Sequence, residues 1–205
     1  MADCICEIAM LTLESLTSAL RDLGVQSGDT LLCHSSYKSL GEVNGGPQTV
    51  IDALLSALGK DGTLIMPTFN FDFNKGEPWD VRITPSKMGI LTEFVRKDAR
   101  ARRVFHPFYS FAVIGKHAEM LGSLRYKSAY ERNSVFGKLR DLDGKIIVIG
   151  LSYNDSMTFF HHIEQFGMFI ERSDPICIDL PIFDTFNHAL HVDSLASIHM
   201  VVIIP

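Results

Sequence analysis

Leu13, Leu16, Leu20 and Leu23 are spaced 3, 4 and 3 apart, the interval that puts apolar side chains on one stripe of a helix. Thr12 is placed to cap its start and Gly24 to end it. "SGDTLLCHS" then reads as a turn and a short buried strand. Gly45 and Gly46 precede "PQTVIDALLSALG", a second apolar-periodic helix stopping near Gly59. "DGTLIMPTF" is a turn and a strand, and "MGILTEFVRKD" a third helix, with Ser86 as its cap. "FYSFAVIG" predicts a strand, "HAEMLG" a short helix, and "DGKIIVIG" another turn and strand. "SMTFFHHIEQFG" predicts a helix capped by Ser156.

Strand and helix alternate, so the fold class is α/β. The runs "TLLCH", "TLIMP" and "KIIVIG" are apolar without alternation, as expected when helices cover both faces of a sheet. No repeat or linker divides the chain, so residues 1–205 read as a single domain. Beyond about residue 172 the pattern weakens. "DPICIDLPIF" and "HMVVIIP" look like strands, with little order between them.

Composition narrows the class. A chain of 205 residues can bury one sizeable core. A net charge of −5 weighs against nonspecific nucleic-acid binding. No apolar run approaches the roughly 18 residues that span a bilayer. "MADCICEIAM" lacks the basic start and long apolar stretch of a signal peptide, so a soluble cytoplasmic protein is expected. Cys4, Cys6, Cys33 and Cys177 form no CxxC pair, which leaves reduced, mostly structural thiols.

Two stretches carry candidate chemistry. In "HSSYKSLGEVNGGPQTV", residues 34–50, a hydroxyl-rich turn leaves a strand and two glycines open a helix. Helix starts present unpaired N–H groups and a positive dipole end, and glycine lets a ligand approach the backbone. That suits an anion, although neither GxGxxG nor a Walker loop is present; a plain Ser-rich turn reads equally. In "NDSMTFFHHIE", Thr158, His161 and Glu164 recur at i, i+3 and i+6 of one helix side. His162 points about 100° away from His161, so the two do not share one metal ion, and HExxH is absent. His161 with Glu164 meets the requirements of a base and its orienting carboxylate; a surface or core histidine is the plainer reading. His106, before a proline, reads as structural, and Arg100, Arg102 and Arg103 as a solvated face or an attractor of phosphates. No GxSxG nucleophile elbow supports a hydrolase.

Taken together, "GDTLLCHSSYKSLGEVNGG", "TLIMPTF", "TPSKMGIL", "ARRVFHPFYSFAVIG", "DGKIIVIG" and "NDSMTFFHHIE" resemble the aminoglycoside 3-N-acetyltransferase family, in that family's order, from about Leu11 to Gln165. The resemblance implies a three-layer α/β/α sandwich around a mixed sheet, and acetyl transfer from acetyl-CoA to an amine. It implies that Ser35, Ser36, Ser39, Gly41, Gly45 and Gly46 lie along the coenzyme. The family's TxxHxxE pattern falls on Thr158, His161 and Glu164, with His161 as general base and no metal. Ser36 or nearby N–H groups are candidate oxyanion donors.

The chain departs from the family twice. "YERNSVFGKLRDLDGK" replaces the Gly-Ser-Pro segment of many drug-modifying members and resembles amino-sugar relatives, so the acceptor is an aminoglycoside or an amino sugar. Asp72, Glu77, Asp80 and Glu131 are acidic residues available to such an acceptor. The sequence also diverges after about Ile170, where relatives usually continue. A short natural variant, a truncation and a frameshifted end all fit, and a non-catalytic coenzyme- or sugar-binding homologue is the alternative function. An uncovered sheet edge would favour a homo-oligomer.

Overall fold

The computed structural model describes residues 10–151, 158–167 and 199–203. The expected cap Ser156, the strand in "DPICIDLPIF", and Cys4, Cys6 and Cys177 lie outside them.

The first helix, α1, runs Leu13–Asp22 and is opened by a reciprocal pair: Thr12 accepts from the Ser15 N–H, and Ser15 accepts from the Thr12 N–H. Then follow β1 (Thr30–Ser35), α2 (Pro47–Leu58), β2 (Thr63–Pro67), α3 (Ile90–Lys97), β3 (Arg102–Arg103) and β4 (Phe111–Gly115). The remaining elements are α4 (Ala118–Gly122), α5 (Val135–Asp141), β5 (Lys145–Ile149), α6 (Phe159–Gly167) and β6 (His199–Ile203). The sheet order is β3-β4-β2-β1-β5-β6. Strands β2, β1, β5 and β6 are parallel, and β4 runs antiparallel to both β2 and β3, so the sheet is mixed.

The apolar runs are explained by two cores, one on each face. Leu31, Cys33, Leu64, Met66, Ala112, Ile114, Ile147 and Ile149 pack with Leu20 of α1, Leu54 of α2 and Val95 of α3. Leu32, Ile65, Phe111, Val113, Ile146 and Val148 pack with Leu121 of α4, Phe136 of α5 and Phe159 of α6. Alternate residues of each strand supply opposite faces, as the pleat requires. The register keeps them matched, with Leu32 beside both Ile65 and Ile146. This is the three-layer α/β/α arrangement that the family resemblance implied.

Three local expectations change. Helix α3 starts at Ile90 after Gly89, not under a Ser86 cap. Ser86 instead shares a 2.7 Å hydroxyl pair with Thr92, and its N–H donates to Glu93. In "FYSFAVIG" only Phe111–Gly115 is strand; the preceding residues turn around His106, whose Nδ1 accepts from the Phe108 and Tyr109 N–H groups. Helix α5, capped by the Ser134 hydroxyl, lies in the segment read only as a departure from the family.

Candidate active site

The parallel strands define where a site belongs. From β1 the chain crosses through α2 to β2 on one side, while β5 lies on the other. The strand order therefore reverses between β1 and β5, and the crevice beyond the carboxyl ends of such strands is the usual ligand position.

The hydroxyl-rich turn occupies that position. The Ser36 N–H donates to the Ile149 carbonyl at 2.8 Å, tying the end of β1 to the end of β5. Residues Tyr37–Leu40 make one 3-10 turn that stops at Gly41. The Ser39 hydroxyl donates to the Gly150 carbonyl at 2.8 Å and lies 3.0 Å from the Ser36 hydroxyl. The Ser35 hydroxyl is buried just beneath. Gly41 has φ 72° and open space where a Cβ would stand.

The glycine pair meets this turn from the other side. Gly45 and Gly46 have φ of 80° and 70°, backbone that side chains rarely adopt. Gly46 is the residue before α2, and no side chain caps that helix. The Tyr37 hydroxyl lies 3.8 Å from where a Cβ on Gly46 would be. Tyr37 thus links the Ser36–Gly41 turn to Gly46 as one ledge beside an α2 start without a side-chain cap, a backbone arrangement of the kind that suits a phosphate or carbonyl. Gly89, which opens α3, stands over the Ser35 carbonyl at 4.0 Å from its would-be Cβ.

The second stretch follows β5. Thr158 is the turn residue immediately before α6, not within it, and its carbonyl accepts from the His161 N–H at 3.3 Å. Phe159 is buried against Phe136 at 5.7 Å between ring centres. His161 is exposed, with its ring 5.3 Å from that of Tyr130. His162 is buried, and its Nδ1 lies 2.7 Å from the Tyr130 carbonyl. Burial pulls the His162 pKa down, against the opposing pull of that carbonyl. The side chain of Glu164 lies outside the described residues.

The sequence reading missed several neighbours. His34, on the face of Leu32 and Val148, is buried with no hydrogen-bond partner at Nε2, and burial alone lowers its pKa to about 4. Ser128 Oγ donates to Gln165 Oε1 of α6 at 2.8 Å. No motif marks either. Arg103 is not a solvated residue: it donates to the carbonyls of Val81, Thr84 and Thr68 and stacks over Trp79.

A cavity of about 530 Å³, lined by Asn70, Asp72, Phe73, Glu77, Trp79 and Thr84 among others, follows β2 on the same sheet edge. Two of the acidic candidates have partners already. Asp72 pairs with Lys75 and Lys87, and Asp80 with Arg82. The Arg82 hydrogen bonds hold the Asp80 carboxyl down at about 2.

The mixed sheet, its two helical layers and a serine- and glycine-lined turn at the switch between β1 and β5 define an α/β/α protein with a candidate site at the carboxyl edge. This chain belongs to the aminoglycoside 3-N-acetyltransferase family, whose profile matches residues 32–174. The SPbeta prophage-derived aminoglycoside N(3')-acetyltransferase-like protein YokD of Bacillus subtilis (strain 168) is 31% identical over 194 residues, covering 82% of this chain and 71% of its own. Aminoglycoside N(3)-acetyltransferase III of a Salmonella species is 34% identical over 174 residues, covering 76% of this chain. The chain spans only 60% of that enzyme's length. Among solved structures, the apoenzyme of aminoglycoside acetyltransferase AAC(3)-IVa superposes with a TM-score of 0.72 at 30% identity, covering 78% of this chain and 62% of that one. A histidine-to-alanine mutant of the same enzyme, in complex with a gentamicin, superposes at 0.65 with 30% identity, covering 71% and 56%.

Proposed function

We propose that the protein is an N-acetyltransferase that moves an acetyl group from acetyl-CoA to an amine of an aminoglycoside or amino sugar. The observation that carries this reading is the ledge of Ser36, Ser39, Gly41 and Gly46 at the β1–β5 switch, in a chain of this family. Family names supply the acetyl group and the aminoglycoside; the ledge supplies a place for the coenzyme.

In the proposed reaction, His161 takes a proton from the acceptor's ammonium group, directly or through one water. His161 is an exposed residue of α6, on the solvent side of the Tyr130 ring. The freed nitrogen attacks the thioester carbonyl carbon, and Ser36 or the ledge N–H groups steady the oxyanion. The C–S bond breaks, and the thiolate takes one of the two protons on the acylated nitrogen, leaving the other as the amide N–H. The products are an amide and coenzyme A, and the imidazolium returns its proton to water. Thr158 and Glu164 would orient the base from the turn before α6 and from α6 itself. Bringing two substrates together supplies much of the acceleration without a covalent intermediate. The protein acts on small molecules in solution, and the cytoplasm, where acetyl-CoA is made, is its proposed location.

The test is thiol release from acetyl-CoA by the full chain across a panel of aminoglycosides and nucleotide-linked amino sugars. Wild type is expected to turn over at least one acceptor, and His161→Ala to lose about 100- to 10,000-fold. A folded protein that binds no coenzyme A by calorimetry would refute the proposal. A second reading is a homologue that binds coenzyme or sugar without turnover. Binding by calorimetry with no thiol release for any acceptor would select it.

A further inference from the structure

We infer that Tyr130 is the positioning residue for His161, and that the segment Ser128–Tyr130 fixes both the rotation of α6 and the orientation of the imidazole. This rests on the role proposed above for His161.

Helix α6 meets this segment at three side chains. His162 Nδ1 lies 2.7 Å from the Tyr130 carbonyl, and Ser128 Oγ donates to Gln165 Oε1 at 2.8 Å. These two contacts are three residues apart, so they lie on adjacent turns of one helix side. This hydrogen bond of the buried His162 fixes which way the helix faces. His161, about 100° round the helix, is then turned out of the core. There its ring meets the ring of the same Tyr130, at 5.3 Å and 59°. One residue thus anchors position 162 by its backbone and flanks position 161 by its side chain.

The Tyr130 ring is itself held. It stacks on Phe136 at 5.9 Å and 15°, and tilts against Tyr109 at 5.2 Å. Phe136 meets Phe111 of β4 edge-on at 5.2 Å. A chain of rings, Phe111–Phe136–Tyr130–His161, therefore runs from the sheet to the proposed base. Rings have few rotamers, so such a chain transmits position well and limits the orientations open to the imidazole. His162, which has no role in the family motif, acquires one here as the anchor.

The experiment uses the full chain with histidine carrying carbon-13 in the ring, and His161 assigned through a His161→Gln variant. The Tyr130 ring current is expected to displace the His161 ring signals in wild type. Tyr130→Leu should move them towards free imidazole, and Tyr130→Phe should leave them in place. In thiol release, Tyr130→Leu should lower kcat at least tenfold with both KM values within twofold, and Tyr130→Phe should stay within threefold of wild type. If Tyr130→Leu does not fold, Tyr130→Met, of similar bulk without a ring, takes its place. His161 signals that are the same in the ringless variant and in wild type would overturn the inference, as would unchanged kcat. The spectra decide the positioning even if wild type turns over no acceptor, so failure of the inference is separable from failure of the function.

Discussion

The Ser39 hydroxyl donates to the Gly150 carbonyl across 111 positions of sequence, at 2.8 Å. This bond and the Ser36–Ile149 backbone bond clip the proposed coenzyme ledge to the far side of the strand-order switch. Removing one ordinary hydrogen bond costs about 1 kcal/mol, so Ser39→Ala should lower Tm by about 2–4 °C. Its larger effect should be on the coenzyme, with Kd by calorimetry rising several-fold as the turn loosens. Gly150→Ala should be worse. Gly150 has φ 63°, and an added Cβ would lie 2.5 Å from Ser39 Cβ, so backbone strain and a clash act together. The expected loss is about 2–4 kcal/mol in urea denaturation. Equal stability of the two variants would show that the clip does not shape the turn.

Acid should destabilise the fold in two separate steps. His34 is held neutral by burial, with its pKa lowered from 6.5 to about 4. Between those values the unfolded chain takes up a proton at this site that the folded chain does not, so stability falls as pH drops from about 6.5 to 4 and then levels for this group. Burial lowers His106 and His162 in the same sense. The carboxylates act lower down. The Arg96 hydrogen bonds hold Glu93 at about 2, so its contribution is present above the usual carboxyl range and is lost as pH falls towards 2. Urea midpoints measured every half unit from pH 8 to 3 should show the first limb. His34→Gln should flatten it between 6.5 and 4, at lower overall stability. An unchanged limb in that variant would mean that the ring is already solvated.

The fold was legible where each signal was strong on its own. Leu13, Leu16, Leu20 and Leu23 mark α1, and the runs around Leu32, Ile65 and Ile147 mark the parallel strands, because covering both sheet faces demands unbroken apolar sequence. Two short elements were not, β3 with two residues and α5 with seven, although the five-residue α4 was read from "HAEMLG". The Thr158/His161/Glu164 spacing was visible, and so was the 100° offset between the histidines. Which of the two is buried depends on Tyr130 and Phe136, and no spacing encodes that. The ledge glycines could be read as turn residues; that the Tyr37 hydroxyl lies beside Gly46 is a tertiary fact. The Asp72–Lys87 pair was hidden for the same reason, since the two are distant in sequence, whereas Asp80–Arg82 and Asp72–Lys75 are local pairs.

Trp79 lines the 530 Å³ cavity and is the one tryptophan in the chain. Its emission therefore reports that cavity alone. Of the two carboxylates that line it, Asp72 and Glu77, the first is neutralised by Lys75 and Lys87, and Lys75 itself lines the cavity, so the wall is not strongly acidic. An amino sugar with a single ammonium group should therefore bind with little dependence on salt, since few unscreened charges meet across the contact. Titration with glucosamine-type and aminoglycoside acceptors should change Trp79 emission, and Trp79→Phe should abolish the signal. A steep loss of affinity between 50 and 300 mM salt would instead point to unpaired carboxylates elsewhere as the main acceptor contacts.

Gly46 separates two ways in which a glycine can matter. A Cβ there meets nothing nearer than the Tyr37 hydroxyl at 3.8 Å, so Gly46→Ala creates no clash. Its backbone, at φ 70° and ψ −151°, is a region that glycine alone adopts readily. Alanine should therefore pull the backbone away from that geometry, at about 1–3 kcal/mol, and turn the first N–H groups of α2. If those groups hold an anionic part of the coenzyme, as proposed, Gly46→Ala should weaken coenzyme A binding at least tenfold by calorimetry. Gly28, also at positive φ with open space around it, is the control, because it lies at the opposite, amino end of β1. Gly28→Ala should lose comparable stability with its coenzyme affinity unchanged. Parallel losses of affinity in both variants would attribute the effect to general destabilisation and remove α2 from the proposed coenzyme site.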